Sequence, residues 1–217
     1  MKIKLLLPRK ITNMSLEEAI LNRSSKRSFK KDPLKFEHLS IILWSAQGLV
    51  ESKKRGLAKR VAPSAGATYP FEVFVAIGEN SICEGPQIIS GIYKYISEEH
   101  SIKLKLEGDK RDDLARAAYS QNSIVQAPIS IILVAKYEIT TQVYGDRGIR
   151  YVHFEAGHIG QNIYLMATAL GLGTVAIGAF DDDAVSEVLH LEKEEKPLYI
   201  FPIGFPKSIS KRSFDLF

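Results

Sequence analysis

The sequence predicts one α+β domain spanning residues 1–217. Three observations carry that prediction. Short runs rich in β-branched and aromatic residues are spread from residue 71 to residue 204, two helical segments precede the first of them, and no low-complexity linker or fixed-period repeat divides the chain. A composition of 45% hydrophobic and 25% charged residues is that of an ordinary globular protein. A chain of this size buries roughly 70% of its unfolded surface, so its core needs no covalent staple.

Ser15 followed by Glu18 forms a capping-box pattern, and Leu16, Ala19 and Ile20 recur at helical spacing, which predicts a helix over 15–23. That helix delivers the chain directly into Arg-Ser-Ser-Lys-Arg at 23–27. A second amphipathic helix follows, with apolar residues at 36, 39, 42, 43 and 46, stopped by Gly48. The polar, basic stretch 51–60 reads as an exposed loop. FEVFVAIG (71–78) and ISIILVAKY (129–137) read as buried strands. GIYKYIS and SIKLKLE alternate with period two about a polar turn at Glu98, Glu99 and His100, which predicts a β-hairpin with one wet face. Residues 109–121 read as a helix. The longest helix is predicted over 150–171, apolar nearly all round, as suits a central or interface helix, with Gly171 as its C-terminal cap. GTVAIGAF (173–180) reads as a strand leading to Asp181, the N-cap of a short helix over 182–190, and PLYIFPIG (197–204) as the last strand.

Several function classes are disfavoured at this level. The single cysteine, Cys83, forms no intrachain disulfide and fits a reducing compartment, so the expected location is the cytosol. Pro8, Arg9 and Lys10 end the first apolar run before a signal-peptide core forms, and no run of 18 apolar residues predicts a membrane span. A net charge of +4 serves solubility or attraction of anionic ligands. A dense basic stripe with interleaved aromatics, which nucleic-acid binding would require, does not occur.

Four features bear on chemistry. Arg23, Ser24, Ser25, Lys26 and Arg27 put three cations and two hydroxyls into five residues. Guanidiniums bind phosphate bidentately and serine hydroxyls bridge to it; taken alone, however, the segment reads first as a solvated helix end, because short basic runs are common. Pro63, Ser64, Ala65 and Gly66 open a loop of small residues before a strand, where backbone amides can approach a flat ligand or simply turn the chain. GLGTVAIG is no dinucleotide fingerprint, because it ends a helix and opens a strand, yet it leaves the amides of Gly178 and Ala179 free to face a ligand. Glu155 with His158, and Glu187 with His190, share the spacing of di-iron carboxylate sites. Such sites need four long helices, so no metal is expected; His190 is expected to be exposed and His158 packed or hydrogen-bonded in the core.

Taken in order, RSSKRSF, LSIILWSAQGL, APSAGATYPFEVFVA, GIYKY, the stretch YGDRGIRYVHFEAGHIGQNIYLMATALGLGTVAIGAFDD and PLYIFPIGFP resemble the nitroreductase superfamily, with greatest similarity to its SagB-type dehydrogenase branch. The resemblance runs from about Ser15 to Pro206. It implies a mostly antiparallel central sheet flanked by helices, an intertwined homodimer, and one FMN at each subunit interface. Arg23, Ser24, Ser25 and Arg27 match the segment that holds the phosphate, ribityl chain and pyrimidine edge. Pro63, Ser64, Ala65 and Gly66 match the loop that reaches the partner subunit's flavin, and Gln121 falls where an amide meets the pyrimidine edge. Gly178 and Ala179 match the backbone facing flavin N5; Lys211 or Arg212 matches the basic residues closing on the phosphate. The implied activity is ping-pong hydride transfer, with NADH or NADPH as donor and a small acceptor. Members of the SagB branch oxidise azoline rings in ribosomal peptides beside cyclodehydratase partners, using a Lys-Tyr pair where this chain has Val143 and Tyr144. That departure favours a stand-alone reductase or dehydrogenase over azoline oxidation, with a flavin binder lacking turnover as the remaining alternative.

Overall fold

The protein is described here from a computed structural model covering residues 1–50, 59–209 and 212–214. Its elements run β1 (Lys2–Lys4), α1 (Leu16–Asn22), β2 (Leu34–Lys35), α2 (Phe36–Gln47), β3 (Phe71–Ile77), β4 (Ile82–Cys83), β5 (Gly91–Ile96) and β6 (Ser101–Glu107). They continue with α3 (Arg111–Ala117), α4 (Asn122–Gln126), β7 (Ile129–Lys136), α5 (Tyr137–Tyr144), α6 (Arg147–Ala169), β8 (Gly173–Thr174), α7 (Asp182–Leu189) and β9 (Glu195–Gly204). Seven strands form one sheet in the order β1-β6-β5-β3-β7-β9-β8, with each neighbouring pair antiparallel, and β2 pairs with β4 in parallel. The α+β class and the mostly antiparallel sheet flanked by helices are those the sequence predicts.

Successive strand residues point to opposite faces, and here both faces are buried. Val73, Val75, Ile131, Leu133, Phe201 and Ile203 pack against Leu39, Ile42 and Leu43 of α2 and Val152, Ile159 and Ile163 of α6. Phe74, Ala76, Ile132, Val134 and Ile200 pack on the other side against Leu114 of α3, Ile124 of α4 and Val185 and Leu189 of α7. The register keeps the two sets apart, since Val75 lies opposite Ile131 and Ile131 opposite Phe201. A slip of one residue would exchange the two faces.

The helix ends follow the sequence closely in places. Ser15 Oγ accepts from the Glu18 amide at 3.2 Å and Glu18 Oε2 accepts from the Ser15 amide at 2.7 Å, completing the capping box. At the other end of the long helix, Gly171 takes φ +72°; its amide donates to Thr168 O and that of Leu172 to Ala167 O, a Schellman closure that turns the chain into β8. Asp181 Oδ1 caps α7 through the Ala184 amide at 2.9 Å.

Other expectations are corrected. The strand expected over 173–180 is broken: only Gly173 and Thr174 ladder with β9, and Ile177 rejoins it as a lone bridge to Ile200. The helix expected over 109–121 stops at Ala117, because Tyr119 and Ser120 are left-handed at φ +53° and +60°. Within the expected hairpin turn, His100 is buried rather than wet, bonded through Nδ1 to Tyr95 Oη and through Nε2 to Leu6 O. Most of the expected loop 51–60 lies outside the described residues; its described end pairs Arg60 with Leu49. The long helix is not apolar all round. One stripe from Gly148 to Ala167 is buried, while Phe154, 55% exposed, and Gly157, His158 and Gln161 face away from the core.

Candidate functional site

α1 ends at Asn22, and the Arg23 backbone turns to an extended conformation at φ −56°, ψ 125°. The next residues run alongside β8: Ser25 forms a parallel bridge with Thr174, and the Lys26 amide donates to Thr174 O at 2.8 Å. Extended backbone divides the segment into two faces. On one, the Arg23 guanidinium stacks over the Tyr164 ring, 5.3 Å from its centroid, and the exposed Ser25 hydroxyl meets Tyr164 Oη at 2.9 Å. On the other, Ser24 and Lys26 line a cavity of about 490 Å³ with Leu21, Leu172, Ile209 and Arg212. The Lys26 stem lies across Gly173, where any Cβ would come within 2.7 Å of it.

Tyr164, on the buried edge of α6, ties these pieces together. Its hydroxyl also accepts from the Ala176 amide at 2.8 Å, and its ring meets Phe201 edge-on at 6.1 Å between centroids. Beyond Ile177, Gly178 and Ala179 are exposed, and their amides have no hydrogen-bond acceptor among the described residues. The Asp181 amide donates to Ala117 O, which brings the α3–α4 turn and Gln121 to this end of the segment. No side-chain hydrogen bond of Gln121 joins it to Gly178 or to Arg23–Arg27 among the described residues. Arg212 closes on the segment from the C-terminal side, but its guanidinium donates to Leu21 O at 3.0 Å and its amide to Asn22 Oδ1 at 2.8 Å. Lys211 lies outside the described residues.

Cations without a carboxylate partner among the described residues occur at Lys30, Lys31, Arg147 and Arg150 as well as here; what marks this segment is their density. Arg9, Lys35, Arg60, Lys94, Lys110, Arg111, Arg116 and Lys136 each have a carboxylate within ion-pair reach. Arg23, Lys26 and Arg27 have none among the described residues, so three cations in five positions stand uncompensated. Beside them the hydroxyl of Thr174, 1% exposed, is buried without a hydrogen-bond partner. Such a donor set suits a multiply charged anion.

The loop at 63–66 sits elsewhere on α6. Pro63 O lies 3.2 Å from His158 Nδ1, and Gly66, at φ +58°, presses so closely on Tyr144 that a Cβ would stand 2.6 Å from its hydroxyl. His158 and Tyr164 are six residues apart, about 9 Å of helix, and no hydrogen bond or ion pair joins the loop to Arg23–Arg27 among the described residues. Contrary to expectation, His158 is exposed rather than packed in the core, while Glu155 points inward. A cavity of about 290 Å³ opens between Pro63, Ser64 and Ala65 and the α6 residues Tyr151, Phe154, Glu155 and His158.

Glu155, noted in the sequence only for its spacing to His158, is the member of that pair that the fold buries. It is 2% exposed, and burial pushes its carboxyl up to about 7, against the hydrogen bonds of Ser64 and Gln47 and the charge of Arg60. Gln47 Nε2 donates to it at 3.1 Å. Ser64 Oγ accepts from the Tyr69 amide at 2.9 Å and lies 3.5 Å from Thr68 Oγ1. Within one chain the Ser64 hydroxyl is engaged in its own loop. Among the described residues no three His, Cys, Asp or Glu side chains converge as a metal-holding group, and no helix is long and apolar enough to cross a membrane.

Comparison with known proteins adds an independent line. The profile described as the nitroreductase family matches residues 20–205. A nitroreductase-designated protein of Methanocaldococcus jannaschii is 46% identical over 194 residues, covering 89% of this chain and 92% of the relative. The microcin B17-processing protein McbC of Escherichia coli is 26% identical over 141 residues, 64% of this chain and 51% of McbC. Among solved structures, a nitroreductase-designated protein of Ralstonia eutropha superposes with a TM-score of 0.79 at 26% identity, over 95% of this chain and 90% of that one.

Proposed function

The chain belongs to the nitroreductase family, and from that premise we propose that it is a cytosolic, FMN-dependent oxidoreductase drawing on NADH or NADPH and serving a small acceptor. The observation that carries this reading is the adjacency of Arg23–Arg27 to the 173–179 segment, joined through Tyr164 and the Ser25–Thr174 bridge. The residues fit the cofactor by their chemistry. Arg23 and Arg27, which lack ion-pair partners among the described residues, the Ser25 hydroxyl and the free amides of Gly178 and Ala179 supply donors for a phosphate and a polar ring edge, and Ser24 adds a hydroxyl from the neighbouring cavity face. FMN in this position would supply hydride chemistry that no side chain offers.

In this account Arg23 and Ser25 hold the phosphate on the Tyr164 face; Lys211 or Arg212 would close over it from the C-terminal side, Arg212 only by leaving the Ser24 and Lys26 face and exchanging its bond to Leu21 O for the anion. Arg27 holds negative charge at the pyrimidine edge, with Gln121 as a further amide donor. The Gly178 and Ala179 amides fix the reacting face. Pro63, Ser64, Ala65 and Gly66 complete the site of a second copy of the chain, because in one chain they lie apart from Arg23–Arg27. The outward face of α6, with Phe154 more than half exposed beside Gly157 and His158, supports a homodimer packed along that helix. Phe154→Arg is expected to yield monomers and at least a tenfold loss of FMN affinity, read by sedimentation and flavin titration.

The likeness to McbC supports a second reading, a dehydrogenase acting on a ribosomal peptide with Tyr144 as the proton-accepting group. Val143, 62% exposed, offers no amine beside it, so stand-alone reduction ranks first. Flavin titration followed by anaerobic addition of NADH or NADPH separates the readings. Bleaching supports a pyridine-nucleotide-fed reductase. Bound flavin that neither donor reduces would favour peptide dehydrogenation or simple binding.

A further inference from the structure

Tyr164 sits among three groups whose hydrogen-bonding roles are unequal. The Ala176 amide, 2.8 Å from Tyr164 Oη, can only donate, so the phenol oxygen accepts there. The phenol carries a single proton, and its one remaining partner among the described residues is Ser25 Oγ at 2.9 Å. With the opposite polarity the phenol oxygen would accept twice while its own proton found no described acceptor. The chain of donors therefore runs from Ala176 N–H through Tyr164 O–H to Ser25, whose hydroxyl accepts from the phenol and turns its own proton outward. Ser25 is exposed, so that proton is presented to whatever occupies the face it shares with the Arg23 guanidinium.

The backbone reinforces the direction. The Ser25–Thr174 bridge and the Lys26 amide bond to Thr174 O at 2.8 Å hold Ser25 in register with Ala176, so the two ends of the relay cannot drift apart. Hydrogen bonds in series polarise one another, which makes Ser25 a stronger donor than a free surface serine. We infer that Tyr164 is the positioning residue of this segment, a fixed hydrogen-bond relay that makes Ser25 an obligate donor and so tunes the segment for a phosphate oxygen. The inference rests on the FMN reading above and extends it to how a phosphorylated flavin is distinguished from riboflavin.

The test is titration of Tyr164→Phe, Ser25→Ala and the double variant with FMN and with riboflavin, followed by flavin fluorescence, alongside apo-protein melting curves. Loss of the directed bond is expected to weaken FMN about tenfold in either single variant and to change riboflavin affinity less than twofold. Because both variants cut one relay, the double variant should bind FMN about as weakly as either single one. Equal losses for FMN and riboflavin, or additive losses in the double variant, would overturn the inference while leaving FMN binding intact. Since Ser25 is exposed, its alanine variant carries the test even if the phenylalanine variant melts early. Wild-type protein that binds riboflavin and not FMN contradicts the relay, and protein that binds neither removes the FMN reading from which it starts.

Discussion

Replacing Arg27 by alanine is expected to lower turnover by about a hundredfold while leaving the folded protein as stable as before. Arg27 is exposed and has no carboxylate partner among the described residues, so its removal breaks no structural contact. Surface substitutions of that kind change stability by roughly 0.5 kcal/mol or less. A preorganised donor facing developing negative charge contributes about 3 kcal/mol in a transition state, and that converts to about two orders of magnitude in rate. Steady-state turnover with NADH and NADPH, set beside thermal unfolding of both proteins, checks the pairing. A fall in melting temperature matching the fall in rate would assign Arg27 to the fold instead.

The second large effect concerns Glu155. Its carboxyl is raised from 4.5 to about 7 in the folded chain, chiefly by burial. The folded state therefore binds more protons than the unfolded state between those values, and stability falls as pH rises through that window. The favourable condition, a neutral carboxyl, is fully present below the unfolded value and lost as pH passes about 7. The shift corresponds to about 3 kcal/mol. Glu155→Gln keeps the shape in an uncharged group whose one oxygen can still accept from Gln47. At pH 5 it should melt close to wild type, and at pH 8 roughly 5–10 °C above it. A constant difference between the two proteins across that range would show that Glu155 is not the titrating group. Since the same carboxyl holds Ser64, its ionisation also bears on the 63–66 loop.

The fold is legible in the sequence wherever burial is two-sided. FEVFVAIG and ISIILVAKY stand out because both faces of β3 and β7 pack against helices, giving unbroken apolar runs. The same logic misleads at GTVAIGAF. Gly173 to Val175 and Ile177 are buried like a strand, yet the Ala176 amide leaves the ladder to bond Tyr164 Oη, and only Ile177 returns to β9. α5 escapes detection because Ile139, Thr140, Thr141 and Val143 are β-branched and read against a helix. The helix over 109–121 is overrun because nothing in Tyr119 and Ser120 advertises a left-handed turn.

The candidate site is legible as segments and not as geometry. Arg23–Arg27 and Gly178–Ala179 are visible as donor-rich stretches, but their adjacency depends on Tyr164, whose partner Ser25 is 139 residues away in sequence. Tyr164 itself looks like one more apolar helix residue. Glu155 is likewise an ordinary helical carboxylate until Gln47, 108 residues distant, is packed against it. Long-range pairings of this kind leave no local periodicity to read.

The central claim is that Arg23–Arg27 and the 173–179 segment together hold FMN. Its most direct measurement is an FMN titration of the purified protein, followed by gel filtration and the visible absorbance of the protein peak. Wild-type protein is expected to emerge yellow with one FMN per chain, and Arg23→Ala, Arg27→Ala protein to emerge depleted of flavin while eluting at the same volume. Wild-type protein that emerges colourless, or a double variant that retains a full complement of flavin, would contradict the account.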